Sequence, residues 1–175
     1  AAMGLTPKPQ TIALVGADVE YSAMALEGAR AHAKRLGLKV VYDKTYPEKT
    51  VDFSPILRAI QATSPDLIFA APYPPDSAGI VRSANEVGLK TRMFGGGLVG
   101  PQFAALKSQL GPLLNGMVNY EFYVPDLNQQ FPSLQLFLAK YQGRAAKEGV
   151  DPLGFYLPPY AYAMMQVLDQ AIARV

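Results

Sequence analysis

Residues 95–100 of the 175-residue chain, Gly95-Gly96-Gly97-Leu98-Val99-Gly100, carry the spacing G-x-G-x-x-G. In a dinucleotide-binding turn such glycines let the backbone approach a pyrophosphate at a helix N-terminus, and an acid about 20 residues further on takes the ribose hydroxyl. Glu121 stands at about that distance, so Gly95, Gly97, Gly100 and Glu121 outline a dinucleotide-dependent enzyme as one reading. Three features oppose it. The run follows the fourth predicted strand rather than opening the first βα unit, Pro101 abuts the last glycine, and Gly111-Pro112 cuts the following helix after about two turns. A flexible strand-to-helix turn, or glycines that admit a backbone N–H or a ligand at close range, are the competing readings.

Other catalytic constellations are lacking. The chain contains no G-x-S-x-G elbow, no G-x-x-x-x-G-K-[ST] loop and no H-E-x-x-H pair. Without cysteine it has no disulfide framework, thiol nucleophile or thiolate zinc site. The single histidine, His32, falls well inside the first predicted helix, where a solvated position is expected. Asp18, Glu20 and Asp76 occupy loops in which carboxylates could act, but Asp76 equally reads as an N-cap and the other two as turn residues. No nucleophile, base and orienting group come together, so a non-enzyme with no cofactor and no metal is expected.

The tyrosines offer binding chemistry instead. Tyr21 closes the loop "GADVEY", next to Glu20, and Tyr73 stands among Pro72, Pro74 and Pro75, whose fixed φ would present the ring. Such rings give an apolar face and one hydroxyl to an amphipathic small molecule. The same rings would also serve simply to pack loop backbone. Further aromatics in "GFYLPPYAY" read mainly as core and helix-start packing.

A repeating pattern of elements positions these loops. Thr11 to Val15 is a short apolar run, and Ala25, Ala29, Ala33 and Leu36 share one face of a helix from Ser22 to Leu36, closed by Gly37. Leu38 to Tyr42 predicts a second strand and Asp52 to Ala62 a second helix, with Ser54 at the N-cap and Pro55 at the first helical position. A third strand opens at Asp66, a third helix spans Asp76 to Val87, and a fourth strand covers Thr91 to Phe94. A brief helix from Phe103 to Leu110 and a fifth strand from Met117 to Val124 come next. Two last helices follow, with Leu134, Leu138, Tyr141 and Ala145 on one face and Ala161, Met165, Leu168 and Ile172 on another. Strands alternating with helices predict an α/β fold of three αβα layers around a doubly wound, mostly parallel five-stranded sheet. Ligands of such sheets bind beyond the carboxyl ends of the strands, which selects the loops "GADVEY", "APYPPD" and "GGGLVG".

Composition agrees with a buried core. Half the residues are hydrophobic and 17% are charged, a balance that excludes disorder. Sixteen Lys and Arg are interspersed with fourteen acids for a net charge of +2, so no basic run marks a nucleic-acid partner. No apolar run approaches the ~20 residues of a membrane span, and the start lacks the order of a secretory signal. Residues 1–10 read as a polar, Pro-containing lead-in, with Ala1 to Met3 as a cloning remnant, and 11–175 as a single α/β domain. The closing "LDQAIARV" carries no helix terminator, so a fragment of a longer protein is expected.

At these loops the chain resembles the type I periplasmic solute-binding proteins of ABC transporters, in the branched-chain amino acid (Leu/Ile/Val) binding family. The likeness is carried by "TIALVGADVEYSAMALEGARAHAKRLGLKVV", "DFSPILRAIQATSPDLIFAAPYPPDSAGIVRSANEVGLK", "MFGGGLVG" and "PPYAYAMMQVLDQAI", in one order along nearly the whole chain. It implies two α/β lobes joined by hinge strands around a ligand cleft, of which this chain looks like the carboxyl-terminal lobe, residues 11–175 as a single ligand-binding lobe behind a hinge-proximal lead-in at 1–10, without its amino-terminal partner. It also implies a periplasmic location, a small-molecule ligand such as an amino acid or organic acid, and a transporter permease as partner. Carried over by position, Tyr21, Tyr73, Gly97 and Leu98 fall at ligand contacts, with Glu20 and Pro74 beside them and Phe155, Tyr156 and Leu157 in a contact region near the lobe boundary. Amino-acid-binding members commonly carry an acid where this chain has Gly97, which points away from an α-amino acid ligand. A ligand-sensing regulatory domain built on the same lobe is a further alternative.

Overall fold

A computed structural model describes residues 4–124 and 132–174; Ala1–Met3 and Val175, named above as lead-in and chain end, lie outside the described residues. In chain order the elements are β1 (Thr11–Ala17), α1 (Glu20–Leu36), β2 (Lys39–Tyr46), α2 (Ser54–Ala62), β3 (Leu67–Ala71), α3 (Pro74–Glu86), β4 (Met93–Gly96), α4 (Ala104–Leu110), a 3-10 turn (Gly111–Leu114), β5 (Met117–Asn119), α5 (Pro132–Glu148) and α6 (Pro158–Ile172). The chain divides into two compact units. The first holds the chain up to Pro101 together with Leu110–Tyr120; the second holds Gln102–Gln109 and the described residues from Glu121 on.

The first unit contains the whole sheet, in the order β2-β1-β3-β4-β5 with every pairing parallel. Right-handed crossovers dictate the layers. Moving from β1 to β2 runs opposite to every later step, so α1 covers one face and α2 and α3 the other. Side chains alternate accordingly. Ile12, Leu14 and Leu67 form a cluster with Leu26 and Ala33 of α1, joined by Phe69 and Met93. Their neighbours Ala13, Val15, Ile68 and Ala70 are buried on the opposite face, where α2 and α3 bury Leu57, Ile60, Ile80 and Val81. Strand β1, buried along almost its full length, reads as an apolar run because both its faces are covered.

Several boundaries differ from the sequence reading, each for a local reason. The N-cap of α2 is Phe53, not Ser54, because the Asp52 carboxylate already accepts the Ser54 N–H at 2.9 Å and draws Ser54 into the first turn. Helix α3 starts at Pro74 behind Tyr73 as N-cap, so Asp76 lies inside the first turn and is not the cap. Two prolines with preset φ begin the helix earlier than polarity alone suggests. Strand β4 is Met93–Gly96 and not Thr91 to Phe94, since the Thr91 hydroxyl donates to Asp66 O at 2.9 Å and its backbone stays out of the ladder. Strand β5 ends at Asn119 instead of Val124 because its partner β4 offers pairing only from Phe94 to Gly96.

The open ends of β1 and β3 are tied by one carboxylate. Asp66 Oδ2 accepts the N–H groups of Gln10 at 2.7 Å and Thr11 at 3.1 Å and the Thr11 hydroxyl at 3.2 Å, and Arg92 lies 3.8 Å from Oδ1. The Gln10 N–H leads in holding this carboxyl below its ordinary value, against an opposing contribution from burial. A carboxyl depressed in the folded state adds stability above its unfolded pKa of about 4 and loses it as pH falls through the folded value. Asp66→Asn is therefore expected to cost about 1 kcal/mol at pH 7, the low end for charge-assisted bonds because the group is partly open to solvent. Urea denaturation at pH 7 and pH 3 should show the gap between variant and parent shrinking in acid; an equal gap at both would remove Asp66 as its source.

Within the second unit, α5 buries Leu138 and Ala145 and packs on α6 through Phe137, whose ring stacks on Tyr162 with centroids 4.5 Å apart. The periodic face expected on α6 behaves otherwise. Met165, Leu168 and Ile172 are all exposed, because among the described residues of this unit only one side of α6 meets a partner.

Candidate ligand-binding site

At the carboxyl ends of β1, β3 and β4 three short connections converge, as parallel strands require of their exits. After β1 the Asp18 N–H donates to Tyr46 O at 2.8 Å, which turns the chain so that Tyr21 enters the first turn of α1. The Tyr21 hydroxyl donates to Gly97 O at 2.8 Å. After β3, Pro72 is buried and Tyr73 caps α3 in an extended conformation, φ −84° and ψ 170°. This projects its ring, 44% exposed, beside that of Tyr21, with centroids 5.4 Å apart and planes at 45°. A tilted pair at this distance suits two ring quadrupoles. Pro74 follows as the first residue of α3, and Glu20, the first of α1, is exposed to solvent.

The third connection is the glycine run, and packing accounts for it. A Cβ on Gly95 would collide with the Val118 carbonyl on β5, and one on Gly96 with the Phe69 ring on β3. Both residues also hold positive φ, 146° and 111°, which side-chain-bearing residues avoid. Beyond them the turn is closed upon itself. Gly97 N–H donates to Ala70 O at 2.9 Å and Val99 N–H to Pro72 O at 3.1 Å, while the Leu98 N–H donates to Asn119 Oδ1 at 3.1 Å. In return Leu98 O accepts from Asn119 Nδ2 at 2.7 Å and Val99 O from the Ser77 hydroxyl at 2.6 Å. A phosphate cradle needs such N–H groups pointing at the ligand. Here all three are spent inside the fold, and the Leu98 side chain is fully buried. Glu121, the acid of the nucleotide reading, belongs to the second unit and directs Oε2 to Lys107 Nζ at 3.3 Å. The nucleotide reading is corrected on these grounds: the spacing is there, but strand packing and not a pyrophosphate demands its glycines.

Around the tyrosine pair the acids are differently placed. Asp18 and Glu20 are exposed. Asp76 accepts the Tyr46 hydroxyl at 3.1 Å, and Tyr46 is nearly fully buried against the edge of Phe53. Burial raises the Asp76 carboxyl above its usual range, Glu48 adds to the rise and the Tyr46 bond opposes it. Burial, then the Asp76 charge and bond, push the Tyr46 phenol upward. His32 is exposed on α1, with Arg35 Nη2 2.8 Å from its Nδ1.

Phe155 and Tyr156 lie in the second unit, in an aromatic cluster of its own. Tyr156 is buried between an edge contact from Phe103 at 5.3 Å and a stacked Phe122 at 5.1 Å, and Phe155 leans on Tyr123 at 5.2 Å. Among the described residues no group of three or more His, Asp or Glu converges as a metal site, and no helix is long and apolar enough to cross a membrane. The sequence reading passed over Asn119, Ser77 and Tyr46. A small polar residue at a strand end, or one inside a helix, gives no local signal of the distant backbone that it clamps.

A family model described as "Periplasmic binding protein" matches residues 2–175, and the chain belongs to that family. Relatives of known name point to one branch of it. Leu/Ile/Val-binding protein homolog 8 of Brucella abortus (strain 2308) is 28% identical over 172 residues, covering 95% of this chain and 42% of its own length. Homolog 7 of the same organism is 26% identical over 176 residues, covering 99% of this chain and 43% of its own length. The structure of the leucine binding protein LivK from Thermotoga maritima superposes with a TM-score of 0.73 at 25% identity, covering 95% of this chain and 45% of that one. The fold also matches the closed leucine-, isoleucine-, valine-, threonine- and alanine-binding protein from Brucella ovis, with a TM-score of 0.71 at 21% identity over 90% of this chain and 38% of that one. This chain thus spans under half the length of the relatives that it matches, as a partial chain of a type I periplasmic binding protein of the branched-chain amino acid family.

Proposed function

We propose that the protein to which this chain belongs is the extracytoplasmic solute-binding component of an ABC transporter, placed in the periplasm and delivering a small molecule to a permease. The observation that carries this reading is the Tyr21–Tyr73 pair at the carboxyl edge of a parallel sheet, locked to the 97–99 turn. It gives a ligand aromatic faces and, from Tyr73, a hydroxyl. Pro74 and Glu20 flank the pair. The opposite wall comes from the share of the relatives' length that this chain does not span. A ligand that touches both walls stabilises the closed form by the contacts made only there, and the transporter reads that form. No reaction is involved, since nothing at the tyrosine pair supplies a nucleophile and base.

The ligand is an aromatic or aliphatic organic acid in preference to a zwitterionic amino acid. Gly97 brings no carboxylate to meet an ammonium, and the half-buried Asp76 is already engaged by Tyr46. An unpaired ammonium in a closed, partly dry cleft costs on the order of several kcal/mol, and about 1.4 kcal/mol is tenfold in affinity. A thermal-shift screen of the full-length protein with matched pairs tests this: leucine against its 2-keto acid, phenylalanine against phenylpyruvate, and 4-hydroxybenzoate. The acids are expected to raise Tm and the amino acids to leave it unchanged. Stabilisation by the amino acids alone would reverse the assignment and direct attention to Asp18 and Glu20 as the counter-charge.

A further inference from the structure

We infer that Asn119 is a positioning residue of the ligand site, the group that fixes the 97–98 peptide and through it the Tyr21 hydroxyl. The inference rests on the reading of Tyr21 as a ligand contact. Strand β5 pairs with β4 only as far as Gly96 and Asn119. Two residues beyond the end of β4 the Asn119 carboxamide takes over, accepting the Leu98 N–H at 3.1 Å and donating to Leu98 O at 2.7 Å. A side chain thus does what the next residue of a strand would do. Facing one donor and one acceptor, it satisfies both in a single orientation.

The consequence for Tyr21 follows from peptide geometry. Leu98 N–H and Gly97 C=O belong to one planar unit and point in opposite directions. Asn119 holds that unit by its N–H, while Tyr21 holds it by its carbonyl at 2.8 Å. The two bonds clamp one peptide from opposite sides, so rotation of the peptide breaks both. Rotation would be cheap without the clamp, because Gly97 on its amino side has access to conformations closed to other residues. The next peptide is held separately, by Pro72 and by the second Asn119 bond, and the Val99 carbonyl by Ser77. Asn119 is therefore the group that stops the 97–98 unit from turning its carbonyl away from Tyr21. Tyr73, packed on that ring, inherits the same restraint. Asn119 also stands one residue before the last position of the first unit, where the chain crosses to the second.

The experiment compares full-length parent, Asn119→Leu, Asn119→Asp and Ser77→Ala by NMR, with tyrosine rings labelled and the Tyr21 signal assigned from Tyr21→Phe. Asn119→Leu removes both bonds, Asn119→Asp keeps the acceptor for the Leu98 N–H but sets a carboxylate oxygen against Leu98 O, and Ser77→Ala loosens the turn without touching the 97–98 peptide. In Asn119→Leu the Leu98 amide is expected to exchange at least a hundredfold faster and the Tyr21 ring signal to move, with Leu14 and Ile68 amides still protected. Asn119→Asp, which keeps one of the two bonds, should hold both readouts nearer the parent than Asn119→Leu does, and Ser77→Ala should lose stability with the Tyr21 signal in place. Should the leucine variant not fold, Asn119→Ala takes its position. An unmoved Tyr21 signal beside an unprotected Leu98 amide would overturn the inference, as would an equal shift in Ser77→Ala. In calorimetry with 4-hydroxybenzoate and with leucine, whichever probe the parent binds should bind Asn119→Leu at least tenfold more weakly and Asn119→Asp with an affinity between the two. If the parent binds neither, the ligand assignment fails, while the Tyr21 signal still decides the role of Asn119.

Discussion

Gly95→Ala is expected to abolish the β4–β5 edge and lower stability by about 4 kcal/mol, from backbone strain and overpacking acting together. Gly95 holds φ at 146°, and a methyl there would occupy the space of the Val118 carbonyl. Neither problem is relieved by a side-chain movement, since the obstacle is backbone in a hydrogen-bonded pair with Gly95 itself. Gly28 is the contrast. It lies exposed within α1, and a Cβ there meets nothing within 4 Å, so Gly28→Ala should raise stability by about 0.5–1 kcal/mol through helix propensity alone. Urea denaturation followed by far-UV circular dichroism measures both. A Gly95→Ala protein within 1 kcal/mol of the parent would mean that β5 does not lie against β4 as described. The same experiment bears on the glycine motif, because a nucleotide turn would lose ligand and keep its fold, whereas a packing glycine loses the fold.

Tyr21→Ala and Tyr73→Ala should each weaken ligand binding to the full-length protein by about 2 kcal/mol or more, roughly thirtyfold, the scale on which aromatic anchors act in desolvated sites. The two should differ in their effect on stability. Tyr73 is 44% exposed, and its removal leaves the fold nearly unchanged, while Tyr21 also satisfies the Gly97 carbonyl, so its loss leaves an acceptor without its partner and costs about 1 kcal/mol. The rings touch, so the double variant should fall short of the sum, with a coupling of about 0.5–1.5 kcal/mol. Tyr21→Phe, which keeps the ring contact, should lose only the hydroxyl contribution. Isothermal titration of the single and double variants gives all four values. Full affinity in both single alanine variants would remove the tyrosine edge as the ligand site.

Most of the element order could be read from the sequence because it depends on local rules. Apolar runs of strand length, helical spacing of Ala25, Ala29, Ala33 and Leu36, and a left-handed stop at Gly37 are short-range properties, and the structure realises them with shifts of a few residues. The alternation of strands and helices then fixes a parallel sheet, and parallel strands bring their exits to one end. Tyr21 and Tyr73 therefore belong to a common edge, where their rings lie 5.4 Å apart. The boundaries that moved did so where a partner remote in sequence decided the outcome. Thr91 is held by Asp66, and β5 stops where β4 has no more backbone to offer.

The glycine run shows where local reading ends. The pattern G-x-G-x-x-G is compatible with a phosphate cradle, a loose turn or close packing, and its spacing is the same in all three. Only the positions of Val118 on β5, Phe69 on β3 and the carboxamide of Asn119 separate them, and these residues lie more than twenty positions away in the chain or on another strand. The sequence by itself determined the class of fold and the edge of the sheet at which the Tyr21 and Tyr73 rings meet. Hydrophobic periodicity and turn chemistry act between near neighbours, and the right hand of the crossovers does the rest. What the tertiary structure alone decided was the state of each polar group at that edge, whether an N–H points to a ligand or to Pro72, and whether a carboxylate is open or bound to Tyr46. Hydrogen-bond partners are chosen by proximity in space, which many sequences can bring about with unrelated residues.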